Sequence, residues 1–288
     1  MQPTVEALPS SLMTGGRPSR EETLSPTAVT MLATINQWVE ITGQEPPEVE
    51  PGSPLAGDAR KSPSLQVAHA AWAGIVHSVD HLHALRALLI QAQVLNLGAP
   101  YTLVRSAMEN AATAVWLLEP AQRSERLRRR LKLAHYEAWE EGKLHELLPA
   151  KALEGKRSAQ DRMAAIRALA VQLGLHPSDV AGQFSHEKAI KAAAKTTLPD
   201  DDEPDPDKLS SEELAAVMWR LCAAFAHGRT WASMSWLERQ VVRTEAGVHT
   251  LQLSGGGVQR VVTVALLPCA FTTRALELFE RRRRSPYT

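Results

Sequence analysis

Arg220 and His227, which bracket the segment Arg220-Leu-Cys-Ala-Ala-Phe-Ala-His227, are the residues of this chain whose types and spacing most suggest chemistry. In a helix turning ~100° per residue, a seven-residue step returns to within about 20° of its start, so both side chains project from one face about two turns apart. Ala223 and Ala224 between them are small. A guanidinium offers a fixed charge with bidentate donors, and an imidazole exchanges protons near neutral pH. Those are the ingredients for cleaving RNA by attack of its own 2′-hydroxyl. An Arg followed by a His after four to six intervening residues occurs five times in the chain, three of them from Arg128, Arg129 and Arg130 to His135 and another from Arg243 to His249. Context sets Arg220 apart, because its segment is otherwise apolar and a charge there needs a partner or a role. Arg105 and Glu109, four residues apart on another apolar segment, offer one: they can pair with each other, or reach Arg220 if the two helices pack together. In the alternative structural reading, Arg220 and His227 only pin the bundle, the ring contacting carbonyls at the helix end.

Other chemistries have thinner support. His77-Ser-Val-Asp-His-Leu-His83 places His77 and His81 at a metal-compatible spacing beside Asp80, and Glu109 or His135 could add a ligand from a neighbouring helix. However, no repeated Glu-x-x-His and no His-Glu-x-x-His is present, and His81 and His83 cannot face one way, so no metal is expected. Cys222 and Cys269 lack Cys-x-x-Cys spacing. Neither a Gly-x-Ser-x-Gly elbow nor a phosphate-binding or dinucleotide glycine loop occurs, and no cofactor is implied. The basic run at residues 123–132, with Arg126, Arg128, Arg129 and Arg130, and the run Arg281 to Arg284 suit sequence-independent phosphate contacts to RNA. Their bland alternative is a solvated helix face and a tail.

These residues need helices to position them. Apolar residues at spacings of three and four predict a helix from Ser25-Pro26 to Gly43, a long one from Ser64 to Gly98, and a buried one from Pro100 to Pro120. A charged helix follows over residues 121–148 with its basic run outward, then an amphipathic segment over 159–173 and a short helix near 177–195. Ser210-Ser-Glu-Glu-Leu caps a further helix with Leu214, Val217, Met218, Leu221, Cys222 and Phe225 inward, breaking at Gly228. β-branched runs at 241–244, 248–253 and 258–267 predict an antiparallel meander before a final helix over 268–284. The expected fold is therefore mainly α, a bundle of five to seven helices with a small β-meander near the C-terminus. Residues 1–63 form a flexible segment with one docked helix and a second loose stretch at 43–63. Residues 64–236 form the bundle, with an acidic linker at 197–208, and residues 237–288 pack on it.

Composition bounds these readings. The 288 residues are 44% hydrophobic and 22% charged, and 32 Lys plus Arg balance 32 Asp plus Glu. That excludes a wholly disordered chain, a collagenous repeat and a disulfide scaffold. No run approaches ~18 uninterrupted apolar residues, and the first twenty residues lack the apolar core of a signal peptide, so a soluble, cytoplasmic protein without a membrane span is expected.

Two segments, Tyr101-Thr-Leu-Val-Arg-Ser-Ala-Met-Glu-Asn-Ala-Ala-Thr-Ala-Val-Trp-Leu-Leu-Glu-Pro120 and Trp219-Arg-Leu-Cys-Ala-Ala-Phe-Ala-His-Gly-Arg-Thr-Trp231, look like an uncharacterised bacterial family whose helices resemble the HEPN superfamily. The resemblance spans roughly residues 64–231. HEPN proteins are helical bundles, often dimeric, many of them metal-independent ribonucleases of toxin-antitoxin and phage-defence systems. Their signature, an Arg, four to six residues and a His, is matched by Arg220 and His227, with Leu221 where active members often carry Asn, Asp or His. The resemblance implies a homodimer whose Arg/His pairs meet at the interface, RNA as substrate, and an antitoxin or regulatory protein as partner.

Overall fold

The computed structural model describes residues 25–199, 208–245, 248–254 and 257–286. The loose N-terminus and most of the acidic linker expected above, and the connections at residues 246–247 and 255–256, lie outside the described residues. Among the described residues the protein is mainly α, with eleven helices and one two-stranded antiparallel hairpin.

Helix α1 (Pro26–Thr42) starts where Ser25 Oγ accepts from the Ala28 amide and proline occupies the first turn. It buries Met31, Leu32, Ile35 and Trp38. Residues 43–63 are not loose, a correction to the sequence reading. They hold α2 (Pro54–Lys61), capped by Ser53, whose Leu55 and Asp58 are buried. Proline and glycine content misled here because tertiary contacts, not local propensity, order this stretch. Chief among them is the Asp58 carboxylate, which takes both forks of Arg126 at 2.7 and 2.8 Å.

Helices α3 (Val67–Arg86, continued by a π-helical turn Ala87–Gln91) and α4 (Ala99–Leu118) form the centre. Gln66, not Ser64, stands at the N-cap position of α3. The two pack closely: a Cβ on Gly74 would lie 2.9 Å from the Asn110 carbonyl oxygen. Helix α4 is the most buried, with Tyr101, Val104, Met108, Val115 and Leu118 inside. Next come α5 (Arg123–His145) and α6 (Ala159–Gln172), which share a smaller apolar cluster of Leu131, Ala134, Ala138, Ile166 and Ala170 with Val180 of the single-turn α7 (Pro177–Val180). The single helix expected near 177–195 is thus two, separated around Gly182 at φ +90°, and its larger part is α8 (His186–Thr197).

Helix α9 (Ser211–Ala226) begins with a full capping box between Ser210 and Glu213, and α10 (Thr230–Trp236) follows a break at Gly228 with φ +61°. Strands β1 (Glu238–Glu245) and β2 (Val248–Ser254) pair antiparallel with an irregularity between Val241 and Arg243. The third expected strand is absent among the described residues. Instead one helix, α11 (Val258–Arg283), runs through Pro268. Its buried Val258, Val261, Val262, Ala265 and Cys269 follow the helical period, and packing on α4 and α3 overrides the strand preference of the valines. By length and by the mean hydropathy of its most apolar stretch (1.5) α11 could cross a membrane, yet it is a core helix of this bundle, holding Phe271 and Leu278 fully buried. At its centre Thr272 Oγ1 lies 2.8 Å from Ser78 Oγ of α3, a buried hydroxyl pair.

Candidate functional site

Helices α4, α8 and α9 pack together, and their polar residues meet where α9 ends. Arg105 and Glu109 of α4 do pair, Nε donating to Oε1 at 2.9 Å. The same carboxylate oxygen accepts from the Trp219 indole at 2.7 Å. Glu109 thus reaches across to α9, but to the neighbour of Arg220. Arg105 lies 6.0 Å from the centre of the Trp219 ring, and its Nη1 stands 3.5 Å from His227 Nε2, the outer limit of a hydrogen bond. A guanidinium has only donors, so this contact is a hydrogen bond in the tautomer that leaves Nε2 unprotonated.

His227 is exposed, and its backbone N–H caps α9 by donating to the Ala223 carbonyl. Arg220 lies on the same face, with its side chain 65% exposed. It donates to Glu187 of α8 at 2.8 Å, and Lys191 meets the other oxygen at 3.2 Å. Lys191 first, and then Arg220, hold the Glu187 carboxyl below its ordinary range. Arg220 therefore contacts neither Arg105 nor Glu109, and it is Arg105 that stands beside the histidine. Sequence reasoning missed Trp219 and His186. Burial pushes the His186 imidazole pKa down, with Glu109 opposing and Arg105 reinforcing that shift, and its Nδ1 is buried without a hydrogen-bond partner. His186 also lines a cavity of about 460 Å³, shared with His77, Asn110, Thr113, Tyr136 and Phe184.

The arrangement is a guanidinium set by a carboxylate, an exposed imidazole beside it, and a second arginine on the same helix face. It can receive an anionic oxygen and exchange a proton next to it. Leu214 and Val217, expected inside, are exposed at 41% and 46% and extend this surface as apolar rather than buried groups. Trp231 is exposed, whereas Trp236 donates to the Tyr101 hydroxyl at 2.9 Å.

The basic run of α5 is not the solvated face expected of it. Arg126 is buried and fully engaged by Asp58 and by the Pro120 and Ala121 carbonyls, so it is a structural ion pair and not a surface contact for RNA. Arg128 and Arg129 both hold Glu125, pulling its carboxyl down to about 2, and Arg129 also donates to the Trp116 carbonyl. Arg130 turns inward, with its side chain only 13% exposed. In the run that ends α11, Arg282 donates to the Leu118, Glu119 and Pro120 carbonyls, and Arg283 and Arg284 hold Glu280. Of these cations, Arg129 and Arg282 close the C-terminal end of α4. Among the described residues no group of three or more His, Cys, Asp or Glu side chains is placed to hold a metal ion, so His77, Asp80 and His81 do not assemble with Glu109 or His135.

Comparison of the chain with protein-family models, with curated proteins and with solved structures gives no significant match.

Proposed function

We propose that this chain is a HEPN-like protein that binds and cleaves RNA without a metal, acting as a homodimer in a toxin or phage-defence role restrained by an antitoxin or regulatory protein. The observation that carries the reading is the exposed His227 imidazole 3.5 Å from an Arg105 guanidinium whose orientation Glu109 fixes. In this mechanism Arg105 and Arg220 bind the scissile phosphate, the latter by releasing Glu187. His227 takes the proton of the 2′-hydroxyl as its oxygen bonds to phosphorus. The bond from phosphorus to the 5′-oxygen breaks, and that oxygen leaves with a proton from the imidazolium of the opposing protomer. The products are a 2′,3′-cyclic phosphate and a 5′-hydroxyl. Exposed Leu214 and Val217 beside Arg220 provide an apolar surface for the second protomer. Incubating the protein with RNA in EDTA and identifying the product ends tests this: cyclic phosphate ends support it, and 3′-hydroxyl ends or loss of cleavage in EDTA contradict it.

A second reading, a non-catalytic helical interaction module, is favoured by a specific observation. Arg220 and Trp219 already have acidic partners, Glu187 and Glu109, that tie α9 to α8 and α4. In that case single substitutions lower the melting temperature while partner binding survives in the folded fraction.

A further inference from the structure

We propose that a cavity between α5 and α6, separate from the site at the end of α9, binds the phosphate group of a small phosphomonoester such as a nucleotide. The cavity holds about 350 Å³, within the range of ligand pockets. Its cationic lining comes from three places in the chain: Arg130 on α5, Arg157 in the loop before α6, and Arg162 in the first turns of α6. The apolar part of the lining is Leu65, Ile166 and Leu169, and Ala134 and Ala165 are the small residues that leave the space open.

Arg130 carries the argument. It is the one of the three taken out of water, and its Nε and Nη1 are buried without a hydrogen-bond partner. Glu137, about two helical turns on, approaches Nη1 to 3.6 Å, an ion pair longer than an ordinary hydrogen bond. Glu137 offsets only part of the cost of burying this guanidinium, so a further acceptor is expected beside Arg130, which together with Glu137 lines this cavity and also the one that His186 lines. Arg162 is held at the rim by Glu141, and Arg157 spends one contact, at 3.4 Å, on the Asp161 carbonyl. Arg130 and Arg157 thus retain donors that a ligand can use. A phosphomonoester suits two such forks better than a carboxylate does, because its three terminal oxygens can accept from both at once. Leu65, Ile166 and Leu169 then offer an apolar seat for the organic part.

The test is calorimetric titration with adenosine 5′-monophosphate and, separately, inorganic phosphate, using wild type, Arg130→Gln, Arg157→Gln and His227→Ala. Arg157 is exposed in a loop, so its substitution leaves folding intact even if that of Arg130 does not. Saturable binding of the nucleotide is expected, weakened at least tenfold by Arg157→Gln and by folded Arg130→Gln, and unchanged by His227→Ala. Inorganic phosphate is expected to bind the same site more weakly. No saturable binding of the nucleotide overturns the proposal. So does binding that ignores Arg157→Gln, or that is lost in His227→Ala, which would place the phosphate at the α9 site instead.

Discussion

At the scale of single residues, the ionisable groups of this protein divide into those already satisfied inside and those left at a surface with work to do. Arg126 and Asp58 belong to the first kind: both are buried, the carboxylate takes Nε and Nη2, and the Pro120 and Ala121 carbonyls take Nη1. Removing Arg126 leaves the buried Asp58 charge only the 3.5 Å contact with the half-exposed Arg123, so Arg126→Met should cost roughly 3–5 kcal/mol in urea denaturation, and Asp58→Leu with Arg126→Met should recover part of that loss. Cys222, Cys269 and Tyr101 make a pH prediction. Burial pushes both thiols from an ordinary 9 to about 12, and the phenol from 10 to about 12. Above pH 9 the unfolded chain sheds protons that the folded chain retains, so stability should fall as pH rises from about 9 towards 12. Melting temperatures across that range check it; a flat profile contradicts it. At acid pH the sign reverses. Glu125, held down to about 2 by Arg128 and Arg129, loses its stabilising contribution as pH falls from about 4.5.

Elements are where the sequence was most informative, and the exceptions have physical causes. The extents of α1, α4 and α9 follow from apolar residues at three- and four-residue spacing between strong terminal signals: Ser25-Pro26 opens α1, Pro100 and Pro120 bracket α4, and the Ser210/Glu213 box opens α9. Ser210→Ala should therefore cost about 1 kcal/mol in the same denaturation measurement. The N-terminal half of α11 was misread as a strand because valine and threonine prefer strands, while the packing that makes it helical comes from α3 and α4, distant in sequence. The close approach of α3 to α4 gives a further prediction. In an open helix Gly→Ala gains up to about 1 kcal/mol. At Gly74 the added carbon meets the Asn110 carbonyl oxygen at 2.9 Å and Ala114 Cβ at 3.3 Å, so the strain wins and Gly74→Ala should lower stability by about 1–3 kcal/mol. The candidate site was half legible. A four-residue spacing announced the Arg105–Glu109 pair, but nothing local to Trp219 or His186 signals that α4 lies alongside, 110 residues earlier in the case of the Trp219–Glu109 bond. For the same reason the inward turn of Arg126 and Arg130 was invisible in a basic run.

For the whole molecule, helices α4, α8 and α9 together present an exposed face carrying Arg220, His227, Leu214 and Val217, backed by Arg105 and Glu109. If that face joins two protomers around RNA, Val217→Glu should shift the sedimentation-equilibrium mass towards the monomer's 31.5 kDa while leaving the helical content unchanged. The most direct test of the central claim is the rate at which wild type and His227→Ala, matched in melting temperature, cleave one defined RNA in EDTA. A loss of at least a hundredfold is expected in the variant, with only cyclic phosphate ends from wild type. Equal rates, or no cleavage by either, would contradict it and leave the helical interaction module as the reading of this surface.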